Sequence, residues 1–461
     1  MRNNRPPVAH AAGGRSTITW GIMIRSREIC GEDLKIRSKL IIFVIAIFFF
    51  GALAFSQTAS QQDTTYEALP AIELSNGKLN ITIVRQGGAI ASVVLADDPD
   101  KLNPMWNPRA AARATGRGSQ QYNGTLGHFV AVDGFGQPSA EERAAGIPQH
   151  GEAHVANFDI TPSADSNGTS TVMTAKLPIV EETFTRTYRL VNGENVMYVD
   201  SQLENLLGFD RPVVWAEHAT IAAPFLKPGA TTITLSGSRS QNRDYTATNG
   251  GGRGNSPGAN APGRNANAGG PAGANAPARG GRGAQQRRLA PGKDFTWPMA
   301  PGLNGEMVDL SIIPADPHFV DHAATLLDPG RDLEFVAALN TEKRLAYGYV
   351  FRREDYPWIQ HWHSWPSVAG LTTGMEFGTS PYDMPRHDII EMSPMFGTPT
   401  YRWLRAKGKI ESHFIAFYTH VPEGFNKIDD VRLDNNQIVI EDRSTHKQIT
   451  LAASRGLSLG E

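Results

Sequence analysis

The sequence is short of the residues that would staple, metallate or strongly charge a fold. Its 461 residues hold a single cysteine, Cys30, which excludes an internal disulfide framework and a cysteine-based metal cluster. Charge of one sign is also lacking: 44 Lys and Arg stand against 46 Asp and Glu, whereas a dedicated nucleic-acid binder carries a clear basic surplus. No glycine-rich loop marks a switch from strand to helix, so no nucleotide cradle is expected. What is present is a hydrophobic content of 40%, enough to build a core. The length exceeds one average domain, but all-β domains are routinely large.

Residues 40–55 read LIIFVIAIFFFGALAF, sixteen positions without a charge, with Lys35, Arg37 and Lys39 just before them and small residues at the end. A basic start, an apolar middle and a small-residue close predict a secretory signal, with residues 1–56 removed and the protein exported. The run is shorter than the roughly 20 residues a spanning helix needs, so no stable membrane anchor is expected after cleavage. Export also discards Cys30 and leaves 36 Lys and Arg against 43 Asp and Glu, a mildly acidic body.

From Tyr66 onward the pattern is short alternating runs separated by turn residues. Leu79, Ile81 and Ile83 alternate with polar positions, and 183–203 reads as a hairpin turning at Asn192-Gly193. Further runs at 213–222, 231–235, 307–313, 333–338, 345–351 and 410–418 predict strands. Only Ser139 to Gly146 reads as a helix, opened by a Ser139/Glu142 capping box. Many strands and few short helices predict an all-β fold, a large two-sheet antiparallel sandwich over 66–424. Residues 246–292 interrupt it with thirteen Gly, six Arg, no acid and no aromatic. Such a stretch cannot bury enough apolar surface to order itself, so it is expected to be a disordered insertion and not a nucleic-acid arm. A final hairpin is expected within 425–461, pairing 437–441 with 448–452.

Histidine, tryptophan and acid concentrate in GHFVAVDGFG (127–136), QHGEAH (149–154), WAEHATIAAPF (215–225), PWIQHWHSWP (357–366) and GMEFGTSPYD (374–383). His150 stands in a turn context, where it either points into a cleft or satisfies loop carbonyls. His218 lies in an apolar strand, as a core histidine or as a proton donor titrating near neutrality. Glu376, between apolar residues and glycines, is expected to be buried enough to raise its pKa, or else paired with Arg386. His361 and His363 share one strand face and could seat zinc with His318 or His322. The interleaved Trp358, Trp362 and Trp365 either stack on sugars or pack in a core.

The order of these segments resembles the galactose mutarotase-like (aldose 1-epimerase) superfamily. The likeness rests on His150-Gly151, on His218 in its apolar strand, and on Gly374-Met375-Glu376-Phe377-Gly378-Thr379. The opening NGKLNITIVRQGGAIASVVL (76–95), followed by Met105-Trp106-Asn107, adds to it. The resemblance implies a β-supersandwich that binds a monosaccharide or sugar derivative and exchanges its anomers without metal or organic cofactor. It further implies Glu376 as general base, His218 as general acid and His150 as the supporting group. His128, Trp215, Trp358, Trp362 and Thr379 are the expected sugar contacts, and Asp309 and Asp321 lie where the family keeps a sugar-binding Asp. The alternative on the same scaffold is a noncatalytic carbohydrate-binding module using Trp358, Trp362 and His128 as its platform.

Overall fold

A computed structural model describes residues 59–114, 124–245, 286–315, 319–365 and 370–457. The predicted leader with Cys30, residues 246–285 of the insertion, and His318 lie outside the described residues.

The chain opens with a meander, β1 (Ser60–Tyr66), β2 (Leu69–Ser75), β3 (Leu79–Val84) and β4 (Ile90–Leu95). In β3, Leu79, Ile81 and Ile83 all enter the main core, as a two-residue period requires. Helix α1 (Pro108–Ala114) precedes β5 (His128–Val132), and α2 (Ala140–Ala144) begins on the complete Ser139/Glu142 capping box. Next come β6 (Asp159–Asp165), β7 (Gly168–Leu177), β8 (Glu182–Val191) and β9 (Val196–Asn205). The β8–β9 pair is the predicted hairpin, with Gly193 at φ +75° in its turn. Strands β10 (Arg211–Val213), β11 (Trp215–Ala222), β12 (Thr231–Leu235) and β13 (Gly237–Asn242) follow.

From residue 286 onward the chain builds β14 (Gln286–Arg287), β15 (Asp294–Thr296), β16 (Met299–Pro301) and β17 (Met307–Asp309). The long strands β18 (Phe319–Leu327), β19 (Leu333–Asn340), β20 (Leu345–Arg352), β21 (Trp358–Trp365) and β22 (Thr372–Gly378) come next. Helix α3 (Arg386–Glu391), β23 (Arg402–Leu404) and β24 (Lys409–His420) complete the main body.

Two large antiparallel sheets result. One has fourteen strands, in the order β1-β2-β3-β4-β5-β11-β22-β21-β18-β13-β15-β16-β17 with β14 beside β18. The other has eight, in the order β12-β19-β20-β24-β9-β8-β7-β6. Their facing surfaces share one core, in which Ile81, Val130, Ile221 and Phe377 of the larger sheet meet Phe184, Val199, Tyr349 and Phe414 of the smaller. The outer face of the smaller sheet is covered by β25 (Asp430–Asp434), β26 (Gln437–Asp442) and β27 (Lys447–Ala452), through Ile438, Ile440 and Leu451.

Three expectations change in detail. The C-terminal hairpin is a three-stranded meander. The run at 307–313 is a strand only over Met307–Asp309. Residues 286–292, counted with the insertion, are structured: β14 pairs with β18, and Leu289 is buried in a small cluster with Phe295 and Leu310. The Arg288–Asp321 ion pair and a bond from Asn242 Nδ2 to Ala290 O at 2.9 Å hold that segment as well.

Candidate active site

Alternation along β11 divides its residues between two environments. Trp215, Ala219 and Ile221 enter the core between the sheets, with Glu217 on the same side, while Ala216, His218 and Thr220 lie on the opposite face. The registers of β11 with β22 and of β22 with β21 set His218, Glu376 and Gln360 side by side across that opposite face. His322 of β18, opposite Trp362 in register, extends the row by reaching Gln360 diagonally.

His218 Nε2 lies 3.3 Å from Glu376 Oε1, and His218 Nδ1 lies 2.9 Å from Thr220 Oγ1. Phe129, opposite His218 on β5, stacks on the imidazole at 4.2 Å between ring centroids. Both members of the pair are buried. Burial raises the Glu376 pKa to about 8, against the opposing pull of the Arg243 charge, and lowers that of His218 to about 3. Near neutral pH the two groups therefore hold one proton between them. Gly374 is part of this arrangement, since a Cβ there would lie 2.6 Å from Glu376 Oε1.

His150 enters from the loop after α2. Its φ of +65° is strained for a residue with a side chain. Hydrogen bonds hold the loop in place: His150 N–H donates to Gly136 O at 2.9 Å, and Gly136 N–H donates to His150 Nδ1 at 3.2 Å. Accepting at Nδ1 leaves the proton of the neutral ring on Nε2. The ring stands edge-on to His218 at 5.0 Å, and burial, with His218 and His154 nearby, holds its pKa well below the usual histidine range.

On the other side, His322 Nε2 meets Gln360 Oε1 at 3.0 Å, and His322 Nδ1 lies 3.2 Å from Arg243 Nη1 and 3.1 Å from Tyr245 Oη. Arg243 pairs with Asp383, and Gly136 approaches the Asp383 backbone so closely that a Cβ would sit 2.6 Å from it. These contacts close a ring around the His218–Glu376 pair. The structure brings His150, His218 and Glu376 together, His218 touching Glu376 and flanked by His150. Arg386, the alternative partner for Glu376, instead binds Asp133 at 2.8 Å.

The expected sugar contacts fare less well. His128 is on the core face, where it bonds Glu217 Oε2 at 2.9 Å and Tyr349 Oη at 3.0 Å. Trp215 is also in the core, its Nε1 donating to Glu217 Oε1. Each lies at odd spacing from His218 along or across the sheet, and therefore faces away from it. Thr379 is consumed by sheet pairing, its Oγ1 accepting the Trp215 N–H at 3.0 Å. Trp358 is wholly buried with Leu326, Tyr382 and Met395, and donates to Pro399 O. Trp362 lies on the Gln360 side of β21, half-buried, opposite His322 and Gly374.

His361 and His363 share a strand face, as predicted, but it is the face turned away from Glu376. There they bond each other at 3.0 Å, and His361 packs on Trp297. Among the described residues, no group of three or more His, Cys, Asp or Glu is disposed to hold a metal. Asp321 pairs with Arg288 on that same far face, and Asp309 binds Ser311. His322, one residue after Asp321, is the group that reaches the row. Gln360, Arg243, Tyr245 and Tyr382 went unread; the two-residue step from Trp362 or Trp358 would have found Gln360.

The sheets and their order define the galactose mutarotase-like fold. A candidate aldose 1-epimerase from Klebsiella pneumoniae superposes with a TM-score of 0.51 at 13% identity, covering 79% of this chain and 83% of its own. A galactose mutarotase-like protein from Clostridium acetobutylicum matches at 0.49 and 11%, covering 79% and 99%. A further candidate aldose 1-epimerase, from Escherichia coli K12, matches at 0.47 and 11%, covering 78% and 100%. No protein-family model and no curated protein sequence matches the chain.

Proposed function

We propose that this protein interconverts the anomers of a sugar by acid–base ring opening. Anomer exchange through the open chain needs a proton taken from the anomeric hydroxyl and a proton delivered to the ring oxygen of the same carbon. The single observation that carries the reading is the buried His218–Glu376 pair, 3.3 Å apart, with its carboxyl raised and its imidazole lowered in pKa by burial. At rest the shared proton sits on Glu376; moving it to His218, uphill against the gap between the two pKa values, yields the carboxylate base and imidazolium acid that the reaction uses. Glu376 removes the hydroxyl proton, His218 protonates the ring oxygen, and His150, its Nε2 beside the Gln149 amide at 3.0 Å, is the supporting group. Rotation about the bond next to the opened carbon, then reversal of both transfers, gives the other anomer.

Of the platform of the noncatalytic alternative, Trp358 and His128 are buried, and Trp362 alone is half-buried on the Glu376 side of β21. Export of the protein is part of the proposal and rests on the basic, apolar and small-residue order of 35–56. Polarimetry or proton NMR of freshly dissolved α-sugars tests the activity. Acceleration of equilibration for at least one sugar is expected. No acceleration across hexoses, pentoses, uronic acids and sugar phosphates would sink the proposal.

A further inference from the structure

Beyond the acid–base pair, the ring around it contains a group that a neutral sugar does not require. Arg243 is mostly enclosed, its side chain 11% exposed, yet its guanidinium is only partly served. Nη1 pairs with Asp383 and faces His322, Nη2 donates to the Asp383 carbonyl at 2.7 Å, and Nε is buried with no acceptor among the described residues. A buried guanidinium N–H without an acceptor is costly, and the fork between Nε and Nη2 is the geometry that takes two oxygens of one anion.

A second guanidinium stands nearby. Arg287 lies 3.4 Å from the centroid of the Tyr245 ring, and Arg243 lies 4.6 Å from it. Arg287 is exposed and forms no ion pair among the described residues. The Tyr382 ring is also in reach of Arg243, at 5.8 Å. Two arginines and two tyrosines thus gather at the end of the polar row, joined to Glu376 through His322 and Gln360. The hydroxyls of a neutral hexose could reach the row, but they would leave Arg243 Nε, beside the Nη1–Asp383 ion pair, without an anionic acceptor.

We propose that the substrate is a sugar bearing an oxyanion, a carboxylate or a phosphate, captured at this end of the site by Arg243 with Arg287. The proposal rests on the anomer-exchange reading for the identity of the site as a sugar site. It adds that Arg243 is a specificity-determining residue, not a support for Glu376 alone.

The test measures anomer exchange and, separately, binding by calorimetry. The probes are glucuronate, galacturonate, glucose 6-phosphate, their parent hexoses and the neutral glucuronamide. The expected result is a kcat/KM at least tenfold higher for an anionic sugar than for its neutral counterpart. The carboxylate and phosphate arms show which anion fits. Arg243→Gln should bring that ratio close to one. Arg287→Gln, at an exposed position that does not threaten folding, should lower it about threefold. Equal or better turnover of the neutral sugars would overturn this proposal and leave anomer exchange standing. Tighter binding of glucuronate than glucuronamide, lost in Arg243→Gln but without exchange of any sugar, would uphold the anion site and overturn the proposed reaction. Absence of binding by every charged sugar overturns it as well.

Discussion

Two buried glutamates on adjacent strands, on opposite faces of the larger sheet, have opposite fates. Glu217 faces the core between the sheets. Burial there would raise its pKa, but Arg186 at 2.5 Å and a bond from His128 outweigh it and hold the carboxylate charged, with a pKa down to about 2. Trp215 Nε1 and Tyr356 Oη also donate to Glu217, each at 3.0 Å. Glu376 faces the other way. Its contacts are an imidazole and a more distant guanidinium, and burial dominates, with a pKa raised to about 8. The same side chain is a fixed structural anion where four donors bind it, and a movable proton source where they do not. Polar saturation, more than burial, separates structure from chemistry in this sheet.

The comparison breaks most visibly at Glu217. Glu217→Gln leaves Arg186 as an uncompensated buried charge, which costs about 3–5 kcal/mol. A large drop in Tm, or failure to accumulate as soluble protein, is expected, and a wild-type melting curve would show that the network is not structural. Next in size is Gly374→Ala. Its methyl would meet the Glu376 carboxyl, so exchange should fall on the order of tenfold to a hundredfold with little change in Tm. Unchanged kcat/KM with the alanine in place would show that the carboxyl position is not critical.

The smallest effect concerns pH. The folded pKa of Glu376 is raised, so its native form holds a proton that the unfolded chain releases near 4.5. Its contribution to stability is therefore full below about 4.5 and declines as pH rises toward 8. Glu217 has the opposite sign: its contribution is present above about 4.5 and is lost as pH falls toward 2. Glu376→Gln should accordingly melt at a higher temperature than the wild type at pH 8 and at nearly the same temperature at pH 4. Equal melting temperatures at both values would contradict the raised pKa.

The sequence carried the fold well, because alternation is a local signal and turns such as Asn192-Gly193 punctuate it. The order of motifs along the chain also singled out His150, His218 and Glu376, which the fold brings together. Which face each residue takes was less legible. His128 and Trp215 sit within strands rich in chemistry, but the choice between core and cleft depends on which residue pairs with which across β5, β11 and β22. A one-residue difference separates Asp321, tied to Arg288, from His322, in the row. Trp358 looked like a sugar platform because an aromatic has the same composition in a core and in a cleft. Arg243 and Tyr245 were hidden by position, standing at the edge of a low-complexity stretch whose composition obscures its borders.

The most direct measurement is the rate of anomer exchange by Glu376→Gln beside the wild type, both confirmed as folded by circular dichroism. Exchange of magnetisation between α and β resonances in proton NMR reads it without coupling enzymes. Removing one positioned acid–base group should lower the rate by about 10²–10⁴ while the melting curve near neutral pH stays at or above that of the wild type. A glutamine variant that exchanges anomers as fast as the wild type would contradict the account, because the shared proton on Glu376 and His218 would then have no part in the chemistry.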